Sequence, residues 1–121
     1  MSKRVLVVED QEDNRLFLED MLTHGGYQVI CAVTGDEGVA MAEAQVPDMI
    51  LMDVMLPGID GYEATRRIKA NPALNNIPVI AVTSYALDGE EGKAKEAGCD
   101  FYFPKPVSPR ILLAKIKEYL D

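Results

Sequence analysis

The chain is poor in positive charge. Twelve Lys and Arg stand against 20 Asp and Glu in 121 residues, a formal net charge of −8. Nucleic acid and anionic lipid are polyanions that need a basic footprint, so neither fits as a direct partner, whereas cations and basic protein faces do. Long apolar runs are also missing. Unbroken aliphatic runs such as Val5 to Val8 and Met49 to Met52 reach only four residues, far short of the roughly 20 that cross a bilayer, so no membrane insertion is expected. Between Lys3-Arg4 and Glu9-Asp10 lie four apolar residues, too few for a secretory signal. There are two cysteines, Cys31 and Cys99, without CxxC spacing. That argues against a disulfide framework or a zinc site and for small core-filling thiols in a reducing cytoplasm.

What is present is enough for one packed domain. With 48% hydrophobic residues, a chain of this length buries about two thirds of its unfolded surface. Four short, mostly β-branched segments end where polar residues begin: Val5-Leu-Val-Val8, Val29-Ile-Cys-Ala-Val33, Met49-Ile-Leu-Met52 and Val79-Ile-Ala-Val82, with Phe101-Tyr-Phe103 a fifth. Segments apolar on both faces suit parallel strands covered by helices on each side.

Helical periods fill the intervals. Phe17 with Met21, and Leu18 with Leu22, precede the stop Gly25-Gly26. Thr34-Gly-Asp-Glu37 has capping-box spacing and opens a second helix. Tyr62, Thr65 and Ile68 share a face of a third, which Asn71-Pro72 ends. Asp88 is placed to cap a fourth, weakened by Gly89 and Gly92 and expected to face solvent with Glu90, Glu91, Lys93, Lys95 and Glu96. Ser108-Pro109 starts a fifth, with Ile111, Leu112, Ile116, Tyr119 and Leu120 as its apolar positions. The pattern predicts an α/β fold: a doubly wound, flavodoxin-like, five-stranded parallel sheet with five helices on both faces.

In such sheets the functional crevice lies beyond the carboxyl ends of the strands. The first strand ends in Glu9-Asp10, the third in Asp53, the fourth in Thr83-Ser84, and the fifth runs through Tyr102 to Lys105-Pro106. The acidic run from Glu9 to Asp13, alone, reads as a solvated loop favouring the next helix N-terminus. Asp53 alters that, because crowded carboxylates repel unless a cation neutralises them. Hard oxygen ligands with open positions suit Mg²⁺, which also accepts phosphate oxygens. Lys105 would compete with a cation alone. It fits a site that handles an anion, where a carboxylate attacks phosphorus while Lys105 and Thr83 hold the phosphoryl oxygens.

Glu9-Asp10, Leu51-Met-Asp53-Val-Met-Leu-Pro57-Gly-Ile-Asp-Gly61, Val82-Thr83-Ser84 and Tyr102-Phe-Pro-Lys105-Pro106 together resemble the receiver domain of two-component response regulators, in order and over essentially the whole chain. Thr83-Ser-Tyr-Ala-Leu-Asp-Gly89, Ala97-Gly-Cys-Asp100 and Lys105-Pro-Val-Ser108 resemble DivK-type single-domain receivers. The resemblance implies Asp53 as phosphoacceptor, with Glu9, Asp10 and the Met55 main-chain carbonyl helping to hold Mg²⁺. It also implies Lys105 on the phosphoryl group, a Thr83 and Tyr102 switch pair and a cis Lys105-Pro106 bond. A histidine kinase or histidine phosphotransfer protein would supply the phosphoryl group. Because the chain ends at Asp121, directly after the fifth helix, residues 1–121 read as a single receiver domain without an output domain. It would not be an enzyme in its own right, and would signal by protein contact through the surface of the fourth helix, fifth strand and fifth helix.

Three other readings compete. An aspartate-based phosphatase would carry a second acid two positions after the nucleophile, where Met55 stands. A flavodoxin-like cofactor binder would need a Gly, Ser or Thr rich first loop, not Glu9-Asp-Gln-Glu-Asp13. A receiver-like module working without phosphorylation would not need Asp53, Lys105 and Thr83 together. His24, before Gly25-Gly26, suits a helix C-terminus, and Tyr27, Tyr62 and Tyr119 are expected in core or helix-face positions without chemical roles.

Overall fold

The computed structural model describes residues 2–83 and 89–121. Five strands alternate with five helices: β1 (Arg4–Val8), α1 (Glu12–His24), β2 (Gln28–Ala32), α2 (Gly35–Gln45), β3 (Met49–Asp53), α3 (Gly61–Ala70), β4 (Val79–Thr83), α4 (Glu90–Ala97), β5 (Phe101–Pro104) and α5 (Pro109–Leu120). All strand pairs are parallel, in the order β2-β1-β3-β4-β5. The chain steps from β1 outward to β2 and returns on the other side to β3. That reversal opens a crevice between the carboxyl ends of β1 and β3.

Alternation along the strands sorts the core into layers. Val5, Val7, Met49, Leu51, Ile80 and Val82 pack with Leu18, Met21 and Leu22 of α1 and Leu112 and Ile116 of α5. Leu6, Val8, Ile50, Met52 and Val79 face the other way, onto Ala42 of α2 and Ala64 and Ile68 of α3. A smaller cluster of Val54, Tyr62, Ala81, Ala94 and Ala97, with Tyr102 against it, seats α4. The three central strands are buried along nearly their whole length, which is why both faces had to be apolar.

The helix ends follow local chemistry. Thr34 accepts a hydrogen bond from the Glu37 amide, but the Glu37 carboxylate returns to the amide of Val33, one residue before the cap. Asp60 caps α3 by accepting from the Glu63 amide, and Ser108 caps α5 by accepting from Ile111. Asp88, expected to cap α4, lies outside the described residues; the helix begins at Glu90 after Gly89 in the left-handed region. Two expectations for the helices are overturned. Glu90 is 8% exposed rather than solvent-facing, because the Tyr62 hydroxyl meets its carboxylate. Ile111, placed among the apolar positions of α5, is 56% exposed, whereas Leu112 and Ile116 are fully buried against the sheet; Tyr119 takes a helix-face position, as expected.

Candidate functional site

Register brings the acids together. Val8 pairs with Met52, so Glu9 and Asp53, one step beyond or at the strand ends, lie side by side. Asp53 pairs with Val82 and Thr83 with Pro104, which sets Thr83 and Lys105 at the same rim. One carboxylate oxygen each from Glu9, Asp10 and Asp53 falls within 4.8 Å of the others.

The acidic run after β1 divides between two tasks. Glu12 and Asp13 occupy the first turn of α1, beside its amides. Glu9 turns inward: it is 1% exposed, and its carboxylate accepts from the Gln11 amide at 3.1 Å and from Lys105 Nζ at 2.8 Å. Asp10 Oδ2 accepts from Gln11 Nε2 at 3.4 Å, while Asp10 Oδ1 is buried and receives no hydrogen bond among the described residues. A buried carboxylate oxygen without a donor is costly unless a cation covers it. Oxygen-only, anionic and partly open, the set fits Mg²⁺.

Asp53 lies at the electrostatic centre. Burial first, then the neighbouring Glu9 charge, raise its carboxyl from the ordinary value to about 7, against the lowering pull of Lys105 and a hydrogen bond from the Met55 backbone. Lys105 Nζ stands 3.5 Å from Asp53 Oδ1. Burial alone would lower the Lys105 ammonium's pKa, but the hydrogen bond to Glu9 and the charges of Asp53 and Glu9 outweigh it and the net shift is upward. The ammonium therefore stays charged, shared between two acids. Its backbone is held by the Lys105 amide donating to the Thr83 carbonyl at 2.6 Å, and the following Lys105-Pro106 peptide is cis.

Gly61 supports Asp53 from behind. A Cβ there would fall 2.2 Å from the Asp53 carbonyl oxygen and 2.8 Å from Val54 Cα. Only glycine lets α3 start so close to the turn after β3, where the Gly61 amide donates to the Val54 carbonyl at 2.9 Å. Thr83 is fully buried at the end of β4. Tyr102 is half-buried on β5, opposite Ala81. Met55 follows in the same turn with its side chain 53% exposed. Ser84 lies outside the described residues. The structure thus brings Glu9, Asp10, Asp53, Thr83 and Lys105 to the same strand ends, with Met55 in the turn after Asp53, whereas Tyr102 lies against the cluster that seats α4. Glu90 was missed, and no local signal in its acid-and-base-rich stretch marks it.

A model of the response regulator receiver domain matches residues 5–117, and the chain belongs to that family, the receiver domains of two-component response regulators. It is similar to the polar-differentiation response regulator DivK of Brucella ovis, 40% identical over 120 residues that cover 99% of this chain and 98% of DivK. Among solved structures it is similar to the receiver domain of a sensor histidine kinase from Pseudomonas aeruginosa PAO1, described with a magnesium ion coordinated in the active site cleft (TM-score 0.92, 37% identity, 99% of this chain and 98% of that one). A CheY-like receiver domain protein of Methanospirillum hungatei JF-1 has a TM-score of 0.90 and 37% identity, with 100% and 95% of the two chains covered. No described helix is long and apolar enough to cross a membrane.

Proposed function

We propose that this chain is a single-domain phosphorelay receiver that takes a phosphoryl group on Asp53 and signals by protein contact. The observation that carries this reading is the buried Asp53 carboxylate at the end of β3, crowded by Glu9 and Asp10 and answered by the Lys105 ammonium 3.5 Å away. A structural ion pair would not need three acids for one base.

Asp53 supplies the nucleophile. One of its carboxylate oxygens bonds to phosphorus as the bond to the donor imidazole nitrogen breaks, leaving an acyl phosphate on Asp53 and a free histidine on the kinase or histidine phosphotransfer protein. A bound Mg²⁺ would supply positive charge to offset that of the phosphoryl oxygens. Glu9, Asp10 and Asp53 would hold it, with the Met55 carbonyl. Lys105, already desolvated and charged, leaves Glu9 and Asp53 to pair with a phosphoryl oxygen. Thr83 donates its hydroxyl to another, and Tyr102 follows into the space so vacated, which alters the face formed by α4, β5 and α5. The downstream protein would bind there, in the cytoplasm, where the phosphohistidine donors of such relays act.

The test is transfer from a labelled phosphohistidine donor, with and without Mg²⁺, to the wild type, to Asp53→Asn and to Thr83→Ala. We expect labelling of the wild type only with Mg²⁺, none of Asp53→Asn, and labelling of Thr83→Ala without the gain in partner binding. Equal labelling of Asp53→Asn and wild type would remove Asp53 from the mechanism.

A further inference from the structure

Outside the crevice, a buried phenol meets a buried carboxylate. The Tyr62 hydroxyl donates to Glu90 Oε2 at 2.6 Å and lies 3.2 Å from the Glu90 carbonyl oxygen, so two acceptors of the first residue of α4 converge on one phenol. Tyr62 is 7% exposed and Glu90 8%. Lys93, one turn on, reaches the other carboxylate oxygen at 3.4 Å and keeps the charge compensated.

Apart from this contact, α4 is lightly held by the described residues. It has eight residues, its buried positions besides Glu90 are the small Ala94 and Ala97, and its N-cap Gly89 offers no side-chain hydrogen bond. Gly92 weakens its interior. The other end of the contact is firm. Tyr62 follows Gly61, which packs on the Asp53 carbonyl, and the Tyr62 ring shares a cluster with Val54, Ala81 and the half-buried Tyr102. The phenol is therefore fixed relative to Asp53, and the carboxylate travels with α4.

We propose that the Tyr62–Glu90 hydrogen bond is a latch that holds the first turn of α4 on α3 and opposes its rearrangement when Asp53 is unmodified. This rests on the receiver reading. Any outward movement of α4 must separate the pair and leave a phenol unpartnered in an apolar cluster, so the latch weights the equilibrium toward the resting form.

Hydrogen exchange on the unmodified full chain, together with titration of beryllofluoride in the presence of Mg²⁺, tests it. Tyr62→Phe removes only the hydroxyl. Glu90→Gln removes the charge from the opposite side and serves if the first variant folds poorly. For Tyr62→Phe we expect amides of residues 91–97 to exchange about ten-fold faster, the scale of a lost hydrogen bond to a charged group, with β1 and β3 unchanged. Beryllofluoride affinity should rise several-fold in the same variant, and adding Glu90→Gln should change neither readout much further. Unchanged exchange in α4, or an equal rise across β1 and β3, would overturn the latch. So would faster exchange without tighter beryllofluoride binding. If the wild type bound no beryllofluoride at all, the receiver reading itself would fall, and the opposed rearrangement with it.

Discussion

Replacing Asp53 with Asn should make the metal-free protein more stable, although it destroys the proposed chemistry. The Asp53 carboxyl is raised from 3.8 to about 7, chiefly by burial and next by Glu9. At 1.36 kcal/mol per tenfold, ionising it in the fold costs about 4 kcal/mol. An effective dielectric well above that of a dry interior, for a charge shared with Lys105, brings this to about 2 kcal/mol. The sign follows from proton binding. Between about pH 4 and pH 7 the folded protein keeps a proton that the unfolded chain has released, so this residue lowers wild-type stability as pH rises through that window and no further above it. Asn does not titrate, and its advantage should grow from about 1 kcal/mol at pH 5.5 to about 2 kcal/mol at pH 8. Urea denaturation followed by circular dichroism, with a chelator present, reads this directly, and the melting temperature at pH 8 should rise by about 8 °C. Mg²⁺ at ten times its Kd should restore about 1.4 kcal/mol to the wild type and narrow the gap. An Asn variant less stable than wild type at pH 8, or one whose advantage is the same at both pH values, would refute the account of a strained carboxylate.

Three further outcomes are expected. Asp10→Ala should lose most of the Mg²⁺-dependent rise in melting temperature, because Asp10 Oδ1 is a buried acid oxygen without a donor among the described residues; a full rise in the variant would show that this oxygen is not a ligand. Gly61→Ala should cost about 3 kcal/mol, seen as a lower urea midpoint, since its Cβ meets the Asp53 carbonyl at 2.2 Å, and a variant as stable as wild type would remove the close approach. Val46 sits in the left-handed region at φ 43 with its side chain half exposed. Val46→Gly should therefore gain about 0.5–1 kcal/mol, the relief of strain less the entropy of glycine, and a loss would show that its side chain matters more than its backbone.

The central strands and the acids at their ends were legible because both are local. Four-residue apolar runs stop at charged or hydroxyl residues, and the stop is where a parallel sheet opens. β2 was shifted by one residue. The Gln28 amide donates to the Lys3 carbonyl and so joins the ladder, while Val33 leaves it to meet the Glu37 carboxylate. Those choices belong to the sheet edge and the next helix, not to apolar pattern. Glu90 was unreadable for a stronger reason. In Gly-Glu-Glu-Gly-Lys nothing distinguishes it from Glu91, and its burial is decided by Tyr62, 28 residues earlier in the chain. Gly61 likewise looks like any glycine at a helix start until the Asp53 carbonyl is placed behind it.

The ion pair between Lys105 and Glu9 joins residues 96 positions apart. During synthesis the three acids leave the ribosome long before the one ammonium that answers them, and a nascent chain halted ahead of β5 would present an uncompensated anionic cluster. Closing that pair requires β3, β4 and β5 to be added in turn beside β1. On the proposed reading, competence to receive a phosphoryl group would therefore wait for β5, and a copy halted before it would be silent to its donor rather than a false carrier of the signal.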